Sequence, residues 1–324
     1  MGKYILKRLI WMIPIVLGVT VLVFTLMIYC PGDPATMVLG STASEADLAI
    51  AREQMGLNDS YLVRLGRYMS DVFLHFDLGS SWLTKVSIAE SIAERMPRTL
   101  LLTTITLIIA YVFGIPLGIT AATHQNKWQD SLSMVLALAL TSIPNFFLAL
   151  ILILIFSVRL GWLPAMGIDQ GLLSYVLPAI ACSAGGLATC ARQTRSSMLD
   201  VIRADYITTA RSKGVPEREV IHKHALKNAL IPIITVLGTQ FGILLGGAII
   251  IETVFSIPGM GSYIIGAVNS RDYPIVQGGT IILGITFSFI MLVVDLLYAM
   301  VDPRIKQQYA AIGAGKGKKV KNNG

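Results

Sequence analysis

Acidic and polar side chains interrupt long apolar stretches at three positions of this 324-residue chain. Glu252 and Asp295 carry carboxylates, and Gln240 carries an amide in mid-stretch. A charge at the centre of a bilayer costs about 2.5–3.5 kcal/mol on insertion scales, so buried acids in membrane segments often line a path for ions or solutes. The same side chains also suit a structural hydrogen bond or an ion pair between helices. The sequence leaves both interpretations open.

The chain carries no recognisable signature of an enzyme. It lacks the phosphate-binding pattern G-x-x-x-x-G-K-[ST], the metalloprotease pattern H-E-x-x-H and the hydrolase pattern G-x-S-x-G. The three cysteines, Cys30, Cys182 and Cys190, lie in or beside apolar stretches, and no Cys or His pair has metal-ligand spacing in a polar loop. We therefore expect no catalytic residue, no bound cofactor and no metal.

The composition is that of a membrane protein. Hydrophobic residues make up 54% of the chain and charged residues only 14%, whereas soluble domains carry about 25% charged residues. The net charge of +7 could suggest nucleic acid, but basic residues in membrane proteins mostly mark the cytoplasmic side. No nucleic-acid motif accompanies the charge, and we expect no nucleic-acid partner.

Six apolar stretches are long enough to cross a bilayer, which takes about 20 helical residues. The first has 21 residues, more than the roughly 7–15 of a signal-peptide h-region. Pro144 falls inside the third, where neighbouring helices can supply partners for freed backbone groups. The sequence therefore predicts an all-α integral membrane protein with six transmembrane helices. Their predicted ranges are 10–30, 99–122, 131–158, 173–191, 231–254 and 276–301.

The distribution of Lys and Arg predicts the orientation. With the N-terminus in the cytoplasm, 18 of the 26 basic residues fall on that side, as the positive-inside rule requires. Both termini are then cytoplasmic, and residues 31–98 form an external loop region between the first two spans. In this arrangement Glu252 lies near the outer end of the fifth span, where water could reach it, and Asp295 lies toward the inner end of the sixth.

A long polar segment, residues 205–232, separates two apolar stretches. Its pattern predicts two short helices broken at Gly214, which supplies the left-handed geometry that a helix end favours. Pro216 suits the first turn of the second helix, with Glu217 near the positive end of its dipole. A connection between two spans does not require a capped helical insertion of this kind. We expect it to be a docking surface for a cytosolic partner.

Small residues recur at four-residue spacing in the fifth span. Gly238, Gly242 and Gly246 predict a ridge on which another helix can pack closely, and Gly114 and Gly118 form a shorter one. Packing within the chain is the simpler interpretation, and a dimer seam is the alternative.

Two external segments have open roles. The region 31–98 contains helix-like pieces that could form a small cap over the membrane domain or a purely structural loop. Residues 256–278 contain turn-forming Pro and Gly residues around a short apolar piece. This pattern favours a re-entrant or interfacial element lining an outer vestibule, and a simple loop is the alternative.

A set of short motifs resembles one known family. Together they are similar to permease subunits of the ABC importers that transport dipeptides, oligopeptides or nickel. The motifs occur in order between residue 3 and about residue 306, and they are KYILKRL, IPIVLGVTVLVF, PGDPA, DLGSSW, SIAERMPRTLLLTT, SIPNFFLALILILIFSVRLGWLPAMG, DYITTARSKG, HALKNALIP, ETVFSIPGMG, RDYPIVQG and VDLLYAMVDPRIK.

One stretch departs from the wider importer pattern, E-A-A-x3-G-x9-I-x-L-P. Thr208, Thr209 and Ala210 occupy the E-A-A places, and the segment from Gly214 to Pro232 is longer than the pattern. The peptide and nickel group resembles this variant.

The resemblance implies a type I ABC importer permease fold and a division of labour. The chain would be a multi-pass subunit of the cytoplasmic (inner) membrane of a prokaryote, surrounded by lipid. It would pair with a second homologous permease, two cytosolic ATP-binding subunits and an extracellular or periplasmic solute-binding protein. ATP would be used by the partner subunits, and the cargo would be di- or oligopeptides. Nickel, another chelated metal or a sugar are alternative cargoes.

The resemblance also divides the chain by role. Residues 1–97 would be the first helix and the external loop region, 98–302 the permease domain with a coupling loop at 192–230, and 303–324 a basic tail lying against anionic lipid. Residues that would couple to the ATP-binding subunits are Asp205, Tyr206, Thr209, Ala210, Arg211, Lys213 and Gly214.

Two other classes of protein stay open. Glu252 and Asp295 would suit an ion-coupled secondary transporter, although such proteins show inverted repeats with broken helices in matching positions, which this sequence lacks. A membrane sensor or structural subunit with a ligand-binding outer loop is the third class.

Overall fold

A computed structural model describes residues 2–301, and the predicted tail at 303–324 lies outside this range. Within residues 2–301 the chain is helical, and an isolated bridge between Ser80 and Ser87 is the only β pairing. The prediction of an all-α protein is confirmed. The helices are α1 (Gly2–Tyr29), α2 (Pro34–Leu39), α3 (Glu45–Gln54), α4 (Tyr61–Leu74), α5 (Ile88–Thr123), α6 (Trp128–Ser142), α7 (Asn145–Leu152), α8 (Val176–Ile202), α9 (Asp205–Ser212), α10 (Glu217–Glu219), α11 (Leu226–Gly247), α12 (Ile249–Val254), α13 (Met260–Ser270) and α14 (Tyr273–Val301).

Short non-α turns join some of these helices. A π-helical turn, Ile153–Arg159, extends α7, and a 3₁₀ turn, Gly171–Tyr175, precedes α8. A second π-helical turn, Val220–Ala225, joins α10 to α11. Among the described residues, five helical stretches are long and apolar enough to span a membrane, and a sixth span results if the bent pair α6 and α7 is counted as one.

The third predicted span is not a single straight helix. α6 and the helix beginning with α7 meet at an angle of 95°. The break falls at Ile143 and Pro144, and Ile143 has an extended backbone with φ −87° and ψ 122°. Proline disfavours the α conformation in the residue before it and cannot donate a backbone hydrogen bond. The span predicted over 131–158 is therefore present as two helices, broken at the proline that the sequence placed inside it.

The described chain forms two compact units that interleave along the sequence. Unit 1 contains residues 2–11, 102–244 and 287–301, and unit 2 contains Met12–Leu101 and Leu245–Thr286. The predicted domain boundary between residues 97 and 98 refers to order along the chain and stays a prediction.

Close helix packing in unit 1 depends on small residues. α6 and α7 both contact α8. On α5, a Cβ atom at Gly118 would lie 2.6 Å from the carbonyl oxygen of Ala191 and 2.5 Å from the Cβ of Thr194 on α8. A Cβ atom at Gly114 would lie 2.9 Å from the carbonyl oxygen of Leu187. The glycines therefore let α5 approach the backbone of α8.

Unit 2 has its own apolar core and, between residues 31 and 98, three short helices, two of which begin at a side-chain cap. Its main cluster contains Met27 of α1, Ile88 and Ile92 of α5, and Met260 of α13. The Asp33 side chain caps α2 by accepting from the amide of Ala35. α3 begins in the same way at Ser44, whose hydroxyl accepts from the amide of Asp47. The helix-like pieces predicted between residues 31 and 98 are thus present as α2, α3 and α4.

Replacing Gly118 with alanine tests the packing of α5 against α8. We expect Gly118→Ala to destabilise the protein by about 1–3 kcal/mol, because the added methyl group meets a backbone carbonyl that cannot rotate away. Gly185→Ala on α8 is the matched control, since no atom lies within 4 Å of its added Cβ. The control should be neutral or stabilising, because alanine favours helix by up to about 1 kcal/mol. Thermal unfolding in detergent measures both, and equal midpoints would contradict the close packing.

Candidate functional site

α9 is an amphipathic helix with one anchored side. Ile207 is fully buried, and Ala210 and Val215 are half-buried against the same apolar cluster. A polar surface lies on the other side, with its side chains exposed. This surface, which we call the α9 face, consists of Asp205, Tyr206, Thr208, Thr209, Arg211, Ser212 and Lys213.

The end of α9 is fixed by backbone hydrogen bonds around a left-handed glycine. Gly214 has φ +78°. Its amide donates to the carbonyl of Arg211 at 2.9 Å, and the amide of Val215 donates to the carbonyl of Ala210 at 3.3 Å. This pair of bonds is the Schellman motif, and the accompanying hydrophobic contact is supplied by Ala210 and Val215 in one cluster. The turn is therefore specified locally.

Side-chain contacts link α9 to the segment that follows. Arg211 donates two hydrogen bonds to the Glu217 carboxylate, at 3.0 and 2.7 Å, and so bridges the turn at Gly214. The side-chain amide of Asn228 donates to the Tyr206 hydroxyl at 2.8 Å. Exposed ion pairs contribute roughly 0–1 kcal/mol, so these contacts set the shape of the loop more than its stability.

The apolar cluster under α9 joins several helices of unit 1. We call it the loop core. It brings together the ends of α5 and α8, the inner side of α9, the π-helical turn and the start of α11. Its buried members are Ile119, Ala122, Met198, Ile207, Val220, Ile221, Ala225 and Ala229. The loop core thus ties α9 to these helices by close apolar packing.

A half-buried ion pair lies between α8 and the start of α6. Arg195 donates to both oxygens of Asp130, at 2.6 and 2.7 Å. The backbone amide of Asn126 also donates to Asp130, at 3.0 Å. Asp130 is only 4% exposed. Sequence reasoning missed this pair. One signal for it was available in the sequence. Asp130 lies in the first turn of an apolar helix, and basic residues that could pair with it cluster from Arg192 onward.

In unit 2, the side chain of Glu252 joins two helices through hydrogen bonds. It lies on α12 and is fully buried, so the expectation that water reaches it is wrong. Its carboxylate accepts from the Thr99 hydroxyl at 2.6 Å and from the amide of Ser262 at 2.8 Å. The Thr99 oxygen in turn accepts from the amide of Met260 at 2.8 Å. The geometry is that of the structural hydrogen bond left open by the sequence.

The glycines of the ETVFSIPGMG motif make room for this carboxylate. A Cβ atom at Gly259 would overlap the Glu252 carboxylate, and one at Gly261 would lie 3.0 Å from its Oε2. α13 begins at Met260, so Glu252 accepts from amide groups at the positive end of a helix dipole. One motif therefore supplies both the acid and the helix start that it caps.

Asp272 plays a similar part for two other motifs. It is 1% exposed and accepts from the Ser81 hydroxyl at 2.5 Å and from the amide of Trp82 at 3.1 Å. These contacts join the RDYPIVQG and DLGSSW stretches, about 190 residues apart in the chain. Buried backbone amides need partners, so one carboxylate holds the loop in place.

The PGDPA stretch is organised by Asp33. Arg52 of α3 donates to one oxygen of Asp33 at 2.9 and 2.6 Å. Desolvation alone would raise the pKa of Asp33, but the guanidinium of Arg52 and the amide of Ala35 hold it below its usual value. α2 and α3 are thereby fastened together.

The remaining predicted polar and packing residues lie in unit 1, except Gly246, which belongs to unit 2. Asp295 forms an ion pair with Arg8 at 2.9 Å, which corresponds to the structural alternative for this acid. Gln240 is half-buried on α11. A Cβ atom at Gly238 would lie 2.9 Å from Val294, and one at Gly242 would overlap Phe287, both on α14. A Cβ atom at Gly246 would meet no atom within 4 Å, so the close contact covers only part of the predicted ridge.

In residues 2–301, no group of three or more His, Cys, Asp or Glu side chains is arranged to hold a metal ion. The described sites instead consist of a polar surface on a short helix, anchored between membrane-type helices, and two buried carboxylates that organise loops. Fold and site define the class as a multi-span membrane protein with a polar helix side exposed for contact.

Comparisons with known proteins identify the family. The chain matches the model "Binding-protein-dependent transport system inner membrane component" over residues 114–307 and that family's N-terminal model over residues 1–103. The chain belongs to this family, the inner-membrane permeases of ABC importers, which confirms the resemblance seen in the motifs. The first match alone covers more than half of the chain.

Curated relatives align along nearly their whole length. The glutathione transport system permease protein GsiC of Salmonella paratyphi A is 44% identical over 306 residues, covering 94% of this chain and 99% of the relative. The dipeptide transport system permease protein DppB of Alkalihalophilus pseudofirmus is 43% identical over 333 residues, covering 94% and 100%.

A solved structure supports the fold. The MetNI methionine ABC transporter contains a chain that matches with a TM-score of 0.52 and 19% identity, covering 65% of this chain and 96% of that one. At this identity the likeness concerns the fold alone, and it agrees with the predicted ABC importer permease fold.

Removing the Thr99 hydroxyl tests the centre around Glu252. Thr99→Val should destabilise the protein by about 1–3 kcal/mol, because a buried carboxylate and a buried amide each lose a partner. Thr103→Val, one turn further along α5, is the control. The Thr103 hydroxyl is buried and has no hydrogen-bond partner among the described residues, so its loss should be neutral or stabilising. Thermal unfolding in detergent compares them, and equal destabilisation would count against the proposed role of Thr99.

The pair Asp130 and Arg195 can be tested by a double-mutant cycle. Arg195→Gln should cost about 1–3 kcal/mol, because it leaves the buried Asp130 carboxylate without its cation, and Asp130→Asn should cost less, because the Arg195 side chain stays 27% exposed to solvent. The double variant should cost clearly less than the sum of the singles. Unfolding midpoints of the four proteins give the coupling, and strict additivity would show that the ion pair contributes nothing.

Proposed function

We propose that this chain is the permease subunit of an ATP-driven importer of di- and oligopeptides. The support for this cargo is that curated relatives at 43–44% identity are named for transport of a dipeptide and of glutathione, itself a short peptide. Nickel, another chelated metal and sugars are the alternative cargoes. Co-purification of the complex with its solute-binding protein and identification of the molecule it carries would name the cargo.

The proposed assembly follows from what permease subunits of this family require. A second homologous permease completes the path, two cytosolic ATP-binding subunits hydrolyse ATP, and an external solute-binding protein delivers the peptide. The absence of a phosphate-binding pattern from the sequence supports assigning ATP hydrolysis to the partners. In this proposal both termini and the polar loop face the cytoplasm, and α2, α3 and α4 are external. The proposed domain roles at 1–97, 98–302 and 303–324 fit this topology.

The α9 face is the proposed contact with the ATP-binding subunits. The observation that carries this proposal is a short helix with one side anchored in the loop core and the other side polar and exposed. Polar side chains suit a contact that forms without burying a large apolar area. The residues proposed to couple are Asp205, Tyr206, Thr209, Ala210, Arg211, Lys213 and Gly214, with Ala210 acting from the anchored side.

Movement of the ATP-binding subunits would reach the membrane helices mechanically. Ile207 inserts α9 into a core shared with α5, α8 and α11, so a push on the α9 face displaces those helices together. The pair Asp130 and Arg195 fixes the start of α6 to α8 next to this core. Alternating access then requires two global arrangements of such helices, each favoured by a different state of the partners.

An ion-coupled mechanism has less support in this structure. Glu252 and Asp295 were its best evidence, and both have structural partners: Thr99 and Ser262 for the first, Arg8 for the second. The test uses vesicles that contain this chain alone, with an ion gradient and no ATP. Uptake of solute by these vesicles would favour the ion-coupled secondary transporter.

The turn at Gly214 provides the test of coupling. Gly214→Val should reduce ATP-driven uptake at least tenfold while the complex still assembles and hydrolyses ATP, because a β-branched residue is strained at φ +78°. Gly214→Asn is the matched control. Asparagine tolerates the left-handed region, and no atom lies within 4 Å of a Cβ at this site, so uptake should be retained.

Uptake and ATP hydrolysis are measured in proteoliposomes with all subunits present. Normal uptake by Gly214→Val in a fully assembled complex would contradict the coupling role. Equal loss in both variants would show that the turn geometry is not what matters.

A further inference from the structure

Unit 2 contains a cavity that none of the roles above uses. Its volume is about 360 Å³, and it lies between α4, the DLGSSW stretch and the start of α14. Pockets for small ligands have volumes of about 300–1,000 Å³, so this one suits a small molecule. Its walls include Arg64, Tyr68, Trp82, Lys85 and Tyr273.

Arg64 is the distinctive cation of this cavity. Its side chain is half-buried, and burial lowers its pKa from the usual value. The neighbouring Arg67 is paired with Asp59 at 2.8 Å. Asp59 also acts on Arg64 electrostatically, but among the described residues Arg64 makes no ion pair or hydrogen bond. A partly desolvated guanidinium without a hydrogen-bonded anion favours an anionic ligand, and its planar donors match a carboxylate.

Tyr68 adds an unused donor next to this cation. Its hydroxyl is buried and has no hydrogen-bond partner among the described residues. Its ring stacks on Phe24, with the ring centroids 5.6 Å apart, so its position is fixed by packing. A buried hydroxyl normally finds a partner, and a ligand oxygen in the cavity would provide one.

Two carboxylates also line the cavity. Asp77 accepts from the backbone amide of Gly79 at 2.8 Å, and Asp71 lies 3.8 Å from His75, with which it forms an ion pair only when that histidine is protonated. The basic side chains Arg64, Arg67 and Lys85 outnumber these two acids on the wall, and the Tyr68 hydroxyl adds a donor. The charges that line the cavity therefore favour an anion.

Aromatic side chains form the other part of the wall. The rings of Trp82 and Tyr273 lie 5.4 Å apart, both at the cavity. They present an apolar surface beside the charged groups. A ligand that fits this wall carries a carboxylate on a small apolar body, as the C-terminal residue of a short peptide does.

We propose that this cavity binds the carboxylate end of a short peptide, with Arg64 and Tyr68 as its hydrogen-bond donors and Trp82 and Tyr273 packing on the adjacent side chain. The inference rests on the proposed function, because peptide is the proposed cargo. It assigns to this chain a cargo-binding site in unit 2 in addition to its part in coupling.

The test measures binding of the dipeptide Ala-Phe to the purified complex of permeases and ATP-binding subunits, without the solute-binding protein, by calorimetry. We expect saturable binding, weakened roughly tenfold or more when the peptide carries a C-terminal amide or when Arg64→Gln is introduced, because a charge-assisted hydrogen bond is lost. Tyr68→Phe should weaken binding several-fold. Arg67→Gln, on the same helix and the same cavity wall, is the control and should bind within about threefold of the unchanged complex.

Unaltered binding by Arg64→Gln, or equal binding of the peptide and its amide, would overturn the proposal. Displacement of the peptide by an equal concentration of inorganic phosphate would do the same, since it would assign the cavity to anions in general. Thermal unfolding confirms that each variant is folded. ATP-driven uptake with all partners separates the two ideas: uptake of peptide without binding in this cavity defeats only the inference, and absence of peptide uptake defeats the proposed function.

Discussion

A backbone amide taken away from water needs a hydrogen-bond partner, and in the hydrocarbon region of a membrane lipid offers none. Two carboxylates meet this requirement in unit 2. Glu252 accepts from an amide at the start of α13, and Asp272 accepts from the amide of Trp82 in the DLGSSW stretch. Each acid lies in a motif of the sequence and organises a stretch of chain far from it. Their burial is therefore explained by backbone satisfaction, and neither needs a place in a conduction path.

In unit 1, the polar helix α9 is held among apolar helices. Ile207 inserts α9 into the loop core, and the Schellman turn at Gly214 returns the chain toward α11. Arg195 and Asp130 add a half-buried ion pair whose geometry is bidentate and therefore directional. Apolar packing gives this region its stability, and the ion pair gives it a defined register. The exposed side of α9 is left for recognition.

Sequence reasoning recovered the helical class, the number of spans within one and the Gly214 turn, because hydrophobic runs, glycine and proline act locally. It failed where the deciding partner is distant. The carboxylate of Glu252 is recognisable as unusual, but only the fold shows that Thr99, 153 residues away, satisfies it. Asp130 and Arg195 are 65 residues apart and were not paired for the same reason. Pro144 acts locally, on Ile143, yet the sequence alone did not show that the helix would break there. Pro116 lies within α5 without ending it. A proline in an apolar stretch therefore does not by itself decide between a tolerated position and a break.

The Schellman turn also bears on how fast and how tightly the α9 face can be recognised. Its two hydrogen bonds join residues at most five apart, and no second protein is needed to form them. A segment that already has its bound shape loses little conformational entropy on association, so more of the contact energy appears as affinity. It can also dock without a preceding folding step, which keeps association rates within the ordinary protein–protein range. The loop is in this sense preorganised, and in the proposed coupling role it would engage and release its partner repeatedly without refolding.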